Sequence, residues 1–246
     1  MKKFFSLLTV TAVLLSACVL TACGEKAEEE ETTAYSYVSL KINPSVDFVV
    51  DEDGQVVSYC CANEDAEVML SDVDLTGETI EDATEEVLET AVETGYLDPD
   101  TQGDEIELGA IDSNGDEDTE TYEKVCKNLD EYFCNNGIFG KVTKETLDEN
   151  LAQAEELGLS LGRTKILLLA CERSGLGVDE LKDKTVDELM QIIHENNVKI
   201  NNAAKADVAG NNALKQLKNG KKTAAQEKVR AHKAKVAESS DDESAE

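Results

Sequence analysis

Between Tyr37 and Val50 the chain alternates apolar and polar residues straight through a proline, and no other feature narrows its fold as much. Val38, Leu40, Ile42, Val46, Phe48 and Val50 share the even-numbered face, with Pro44 on the same side. Strict period-two alternation marks a half-buried strand. The unbroken parity predicts one long strand over 38–50 rather than two strands and a turn. Proline cannot donate to a ladder, so its place there calls for a reason. Asp53-Gly54 then gives a two-residue hairpin signal, with Gln55 to Asn63 as the return strand. That loop sets Val50 against Val57, Phe48 against Tyr59, Val46 against Cys61 and Asp47 against Cys60, and turns Asn43 and Ser45 outward.

Further along, a loop through Asp72 and Asp74 leads to a helix over 79–94, stopped by Gly95. Ile106, Leu108 and Ala110 alternate with Glu105, Glu107 and Gly109, which predicts a strand over 105–111. A second helix follows over 119–134, and 138–142 adds a short strand. The order β-β-α-β-α-β describes an α+β fold, a mainly antiparallel sheet covered by two helices. From Thr146 the pattern turns helical: Leu147, Leu151 and Ala154, then 163–173, then a capping box at Thr185-Val186-Asp187-Glu188. These make a small C-terminal three-helix module. The expected divisions are 1–22 signal peptide, 23–35 acidic tether, 36–143 α+β domain, 144–200 helical module and 201–246 a basic, then acidic, flexible tail.

The N-terminus fixes a compartment. Lys2 and Lys3 precede an apolar run ending Leu20-Thr21-Ala22-Cys23-Gly24, too short to span a bilayer. The ending resembles a bacterial lipobox, which makes Cys23 the expected lipidation site and places the body on the outer face of the cytoplasmic membrane. Leu15-Ser16-Ala17-Cys18 fits the pattern less well, because the apolar run continues past it. The net charge is −30 over 246 residues, but unevenly spread: 24–162 holds 39 acidic and 6 basic side chains, whereas 203–237 holds 9 basic and 2 acidic. Such a body repels nucleic acid and anionic lipid and favours cations or basic partners. The lysine-rich segment reads as a solvated tail, or as one that touches an envelope polymer or folds back on the acidic body. Five cysteines follow Cys23, namely Cys60, Cys61, Cys126, Cys134 and Cys171, an odd number that closes no disulfide framework.

Chemistry is sparse. Asp112-Ser113-Asn114-Gly115-Asp116 with Glu123 imitates a calcium loop, yet Glu117 stands where the sharp turn needs glycine. His194 and His232 build no catalytic or metal set, and no cofactor is implied. The Asn43-Pro44 bond is the specific feature. Proline nitrogen cannot attack the asparagine side chain, but the Asn43 side-chain amide can attack its own carbonyl carbon and release Pro44. A fold that positions the nucleophile and strains the amide accelerates that step. The alternative is a proline that only blocks edge pairing.

The run Tyr37-Val-Ser-Leu-Lys-Ile-Asn-Pro-Ser-Val-Asp-Phe resembles the extracytoplasmic middle domain of RsgI-like anti-sigma factors. The likeness continues through Asp74-Leu-Thr-Gly and Gly95-Tyr-Leu, and returns at Ala154-Glu-Glu-Leu-Gly-Leu-Ser-Leu-Gly-Arg-Thr-Lys and Asp179-Glu-Leu, covering about 35–195. The resemblance implies self-cleavage at Asn-Pro with the pieces held as paired strands. Asn43 would supply the attacking amide, Pro44 the leaving nitrogen, and Ser45 a supporting hydrogen bond. A lipobox stands where that family carries a sigma-binding segment and a spanning helix, so no direct sigma-factor binding is expected. The expectation is a lipid-anchored sensing or interaction module, no enzyme apart from a single-turnover autoproteolysis. The alternative is an uncleaved binding or scaffold lipoprotein for cations, envelope polymers or a protein partner.

Overall fold

The computed structural model describes residues 34–100 and 104–243. The signal segment, Cys23 and the tether up to residue 33 lie outside the described residues. A five-stranded sheet is built from β1 (Ser36–Lys41), β2 (Ser45–Val50), β3 (Val56–Cys61), β4 (Asp104–Ile111) and β5 (Gly140–Lys144), in the spatial order β3-β2-β1-β4-β5. All neighbours are antiparallel except β4 and β5, which run parallel. The fold is thus α+β with a mainly antiparallel sheet, as the pattern predicts.

The single long strand does not form. The chain reverses at Ile42-Asn43-Pro44, and Lys41 pairs with Ser45. Parity explains why the alternation hides this. A three-residue turn sets Leu40 opposite Val46 and Val38 opposite Phe48, so even-numbered residues stay on one face through the reversal. In the next hairpin Phe48 faces Tyr59, Val46 faces Cys61 and Asp47 faces Cys60, as the register predicts. Val50 pairs with Val56 rather than Val57, because the ladder slips between Val49 and Val50. The cause is a wider turn: Asp51 N–H donates to Gln55 O at 2.9 Å, while the Asp51 carboxylate accepts from Asp53 and Gln55 N–H.

Eight helices are described: α1 (Glu64–Met69), α2 (Ile80–Thr94), α3 (Thr119–Asn136), α4 (Leu151–Leu157), α5 (Leu161–Ser174), α6 (Val178–Leu181), α7 (Val186–Gly210) and α8 (Asn212–Glu243). The short α1 stands where a loop is predicted, opened by the Asn63 side chain accepting from Ala66 N–H at 2.9 Å. On α2, Thr79 caps the start and Gly95, at φ +77°, the end.

Helices cover both sheet faces. Val38, Leu40, Val46 and Phe48 pack with Val87 and Leu88 of α2 and Leu129 of α3. On the other face Tyr37, Val49 and Ile111 pack with Ile166 and Leu167 of α5 and Met190 and Ile193 of α7. The predicted outer face is therefore an interior, and the C-terminal helices form its second layer. α7 also closes the β3 edge: Asn201 Nδ2 donates to Tyr59 O at 2.6 Å and its Oδ1 accepts from Cys61 N–H at 3.4 Å. One carboxamide thereby does the work of a neighbouring strand's peptide group.

The basic segment expected as a flexible tail is helical. Along α8 the inward positions are Leu214, Lys218, Ala225, Val229 and His232, spaced as one helical stripe. A lysine and a histidine interrupt that stripe, so a search for apolar periodicity passes over it.

Candidate functional site at the Asn43-Pro44 turn

The turn joining β1 and β2 holds the scissile candidate. Ile42 N–H donates to Pro44 O at 2.8 Å, and Asn43 stands at φ +55°, the one non-glycine residue at positive φ among the described residues. Asparagine tolerates this region better than most side chains, at a cost on the order of 1 kcal/mol. The following proline restricts the same residue further. Asn43 is exposed, Pro44 buried and Ser45 half-buried. Ser45 opens β2, and its carbonyl accepts from Ala62 N–H at 2.9 Å. The turn is thus gripped from β3 as well as by its own hairpin.

The strand before the bond is central. β1 pairs with β2 along Ser36–Lys41 and with β4 along Tyr37–Lys41. Its side chains reach both cores: Val38 and Leu40 one, Tyr37 the other. Each such apolar side chain is worth about 1.5–3 kcal/mol when buried. A cut at Asn43-Pro44 would leave this strand held by two ladders and two cores.

Beside the turn lies a cavity of about 310 Å³ whose lining includes Lys41, Ser45, Asn63, Glu145, Glu149 and Lys165. Glu145 dominates it. Its side chain is 2% exposed and receives Lys41 Nζ at 2.7 Å and Lys165 Nζ at 2.6 Å, together with the Ser39 hydroxyl. Burial alone would raise this carboxyl. The Lys165 ammonium and the hydrogen bonds from Lys165, Lys41 and Ser39 outweigh it and hold the group below the ordinary glutamate range. A second buried pair joins Asp47 of β2 to Arg173 of α5 at 2.9 Å, and Arg173 also reaches Cys60 Sγ at 2.9 Å.

The sequence singles out Asn43, Pro44 and Ser45 but not Glu145 or its partners. One signal was available. Gly109 interrupts the outer series of β4, and glycine inside a strand marks close approach by another group. Glu145 is that group.

The remaining candidates behave as local structure. In the Asp112 loop, the Asp112 carboxylate accepts Asn114 and Asp116 N–H at 2.8 and 2.9 Å, which shapes a turn. Among the described residues the cysteines are free thiols. Burial pushes Cys60 up to about 11 and Cys61 up to about 12, which leaves them poor nucleophiles. His232 is buried between Asp100 Oδ1 at 3.1 Å and Asn136 O at 3.0 Å, tying α8 to the body. No described helix is long and apolar enough to cross a membrane.

Comparison with known proteins converges on one group. Residues 35–169 match the family described as the anti-sigma factor RsgI-like central domain. Anti-sigma-I factor RsgI6 of Acetivibrio thermocellus is 26% identical over 188 residues, 72% of this chain and 24% of that protein. RsgI9 of the same organism is 30% identical over 173 residues, 66% of this chain and 24% of its own length. RsgI7 is 24% identical over 163 residues, covering 65% and 30%. The chain therefore spans less than a third of the length of these relatives.

Proposed function

The chain belongs to the RsgI-like anti-sigma factor central-domain family, and on that premise we propose that it is an extracytoplasmic signalling module, held at the membrane by lipidated Cys23, which cleaves itself once at Asn43-Pro44 and keeps both pieces assembled. The observation that carries this reading is the placement of the bond. It lies in a strained turn with Asn43 at positive φ, directly after a strand bound on both sides.

The chemistry balances within the chain. Asn43 Nδ2 bonds to the Asn43 carbonyl carbon, the carbon–nitrogen bond to Pro44 breaks, and a proton lost from Nδ2 ends on the Pro44 nitrogen. The products are a C-terminal succinimide and a secondary amine, with no oxidant or co-reactant consumed. Later hydrolysis of the ring adds one water. Ser45, next to the leaving nitrogen, supports the developing charge by hydrogen bonding.

After cleavage the lipid stays with β1, while β2 and everything following it form the body. A pull or a protease acting on the body then meets a non-covalent joint. Denaturing intact-mass analysis of the mature protein tests this. Two masses summing to the chain, or to one water more, are expected, and Asn43→Ala should give one. A single uncleaved mass from the unaltered protein rejects it.

A further inference from the structure

Glu145 follows β5 directly, and its N–H donates to Leu108 O at 2.8 Å, which prolongs the parallel pairing by one residue. From there its side chain crosses over β4 to β1. It passes at Gly109, which is paired with Ser39. A Cβ at Gly109 would collide with Glu145 Oε2 and lie 2.7 Å from Ser39 Oγ, so the crossing requires glycine. This is a slot shaped for one carboxylate.

The members of this cluster divide at the candidate bond. Ser39 and Lys41 precede Asn43-Pro44; Glu145 and Lys165 follow it. We propose that Glu145 is the grip by which the body retains the anchor-side strand, and so sets how readily the two pieces part. The inference rests on the cleavage reading for its biological role, though the contact exists whether or not the bond is cut. The physical reason lies in the contacts that must break. β1 cannot leave without parting the buried Glu145 carboxylate from the Ser39 hydroxyl and the Lys41 ammonium, and contacts to a buried charge are costly to break. Groups facing the carboxylate from neighbouring elements are Lys41 and Tyr37 on β1, Asp47 on β2, Glu107 on β4, Glu149 beyond β5, and Lys165 on α5. Two ammonium groups oppose these nearby acids, and one of them, Lys41, belongs to the strand that would leave.

The test uses the full mature chain, with the extent of cleavage read by denaturing mass spectrometry. Hydrogen exchange of the β1 amides, and the rate at which the fragments separate in mild urea, are compared among the unaltered protein, Glu145→Gln, Ser39→Ala and Lys41→Met. Loss of charge-assisted hydrogen bonds should speed β1 exchange and separation roughly ten- to a hundredfold in Glu145→Gln. The two β1 variants should move the same way by less, and they decide the matter if Glu145→Gln does not fold. Rates within twofold of the unaltered protein in all three overturn the grip. An uncleaved chain whose β1 still loosens in these variants overturns the cleavage reading alone. A cleaved chain with unchanged rates overturns the grip alone.

Discussion

Two parts of this molecule are fastened to the body by charge, and they are fastened in opposite ways. β1 is held at Glu145, whose side chain is 2% exposed, crosses at Gly109, accepts from Ser39 and Lys165 and pairs with the Lys41 ammonium. α8 lies on the acidic surface through Lys222–Glu93, Lys228–Asp98 and Lys235–Asp100, pairs whose side chains are 32–65% exposed. Its less exposed contacts are few: Lys218 with Asp72, Ala225 against Gly95, and His232 between Asp100 and Asn136. Exposed pairs are screened by salt and contribute little singly, while a desolvated cluster is hardly screened and loses heavily when one member goes. The same chemistry therefore gives a conditional joint at the C-terminus and a committed one at the central strand.

The largest effect should come from filling the slot. Gly109→Val forces Glu145 or Ser39 out of place, combining overpacking with a displaced buried charge. Destabilisation of about 3–5 kcal/mol is expected, read as a lower urea midpoint. A loss below about 1 kcal/mol would mean that the slot is loose and the contrast with α8 overstated. Next comes acid. Glu145 titrates below its ordinary value of 4.5 in the folded protein, so its contribution is complete above that pH and disappears as the pH falls through the depressed folded value. Fragment separation should accelerate as the pH drops below about 4, and Glu145→Gln should remove that part of the profile. An unchanged profile in the variant would assign the acid response to the many surface carboxylates instead.

Much of this arrangement was legible in the sequence, within a definable limit. Alternation gives the strands, and the helical pattern with its stop at Gly95 gives α2, because these signals are local. The reversal at Asn43 was not legible, since a three-residue turn preserves parity and leaves the even-numbered face unbroken. The scissile candidate was found from its own chemistry, which needs no partner to be seen. Glu145 was missed because its meaning depends on Ser39 and Lys41, more than a hundred residues earlier. Folding back of the basic segment on the acidic body was among the readings of the charge pattern, but its helix was not legible, for a related reason. The buried positions of its inward stripe are Lys218, Ala225 and His232, with Leu214 and Val229 half-buried beside them, and such a mixed stripe becomes recognisable only once the acidic face it meets is known.

Salt separates the two joints. In 1 M sodium chloride the Debye length shrinks to about 3 Å, so exposed pairs weaken while buried ones persist. Amide exchange along α8 should rise severalfold with salt and β1 exchange should not. Equal responses would erase the distinction between the joints.

The smallest effects test whether α8 is held by many weak contacts or by a few. Lys228→Ala removes one exposed pair and should cost less than about 1 kcal/mol, near the limit of detection in thermal unfolding. His232→Ala removes a buried ring facing two acceptors and should cost about 1–2 kcal/mol, seen first as faster exchange near the helix's C-terminal half. If Lys228→Ala matched His232→Ala, exposure would not be what ranks these contacts. The conditional character of the α8 joint would then have to come from something other than solvent screening.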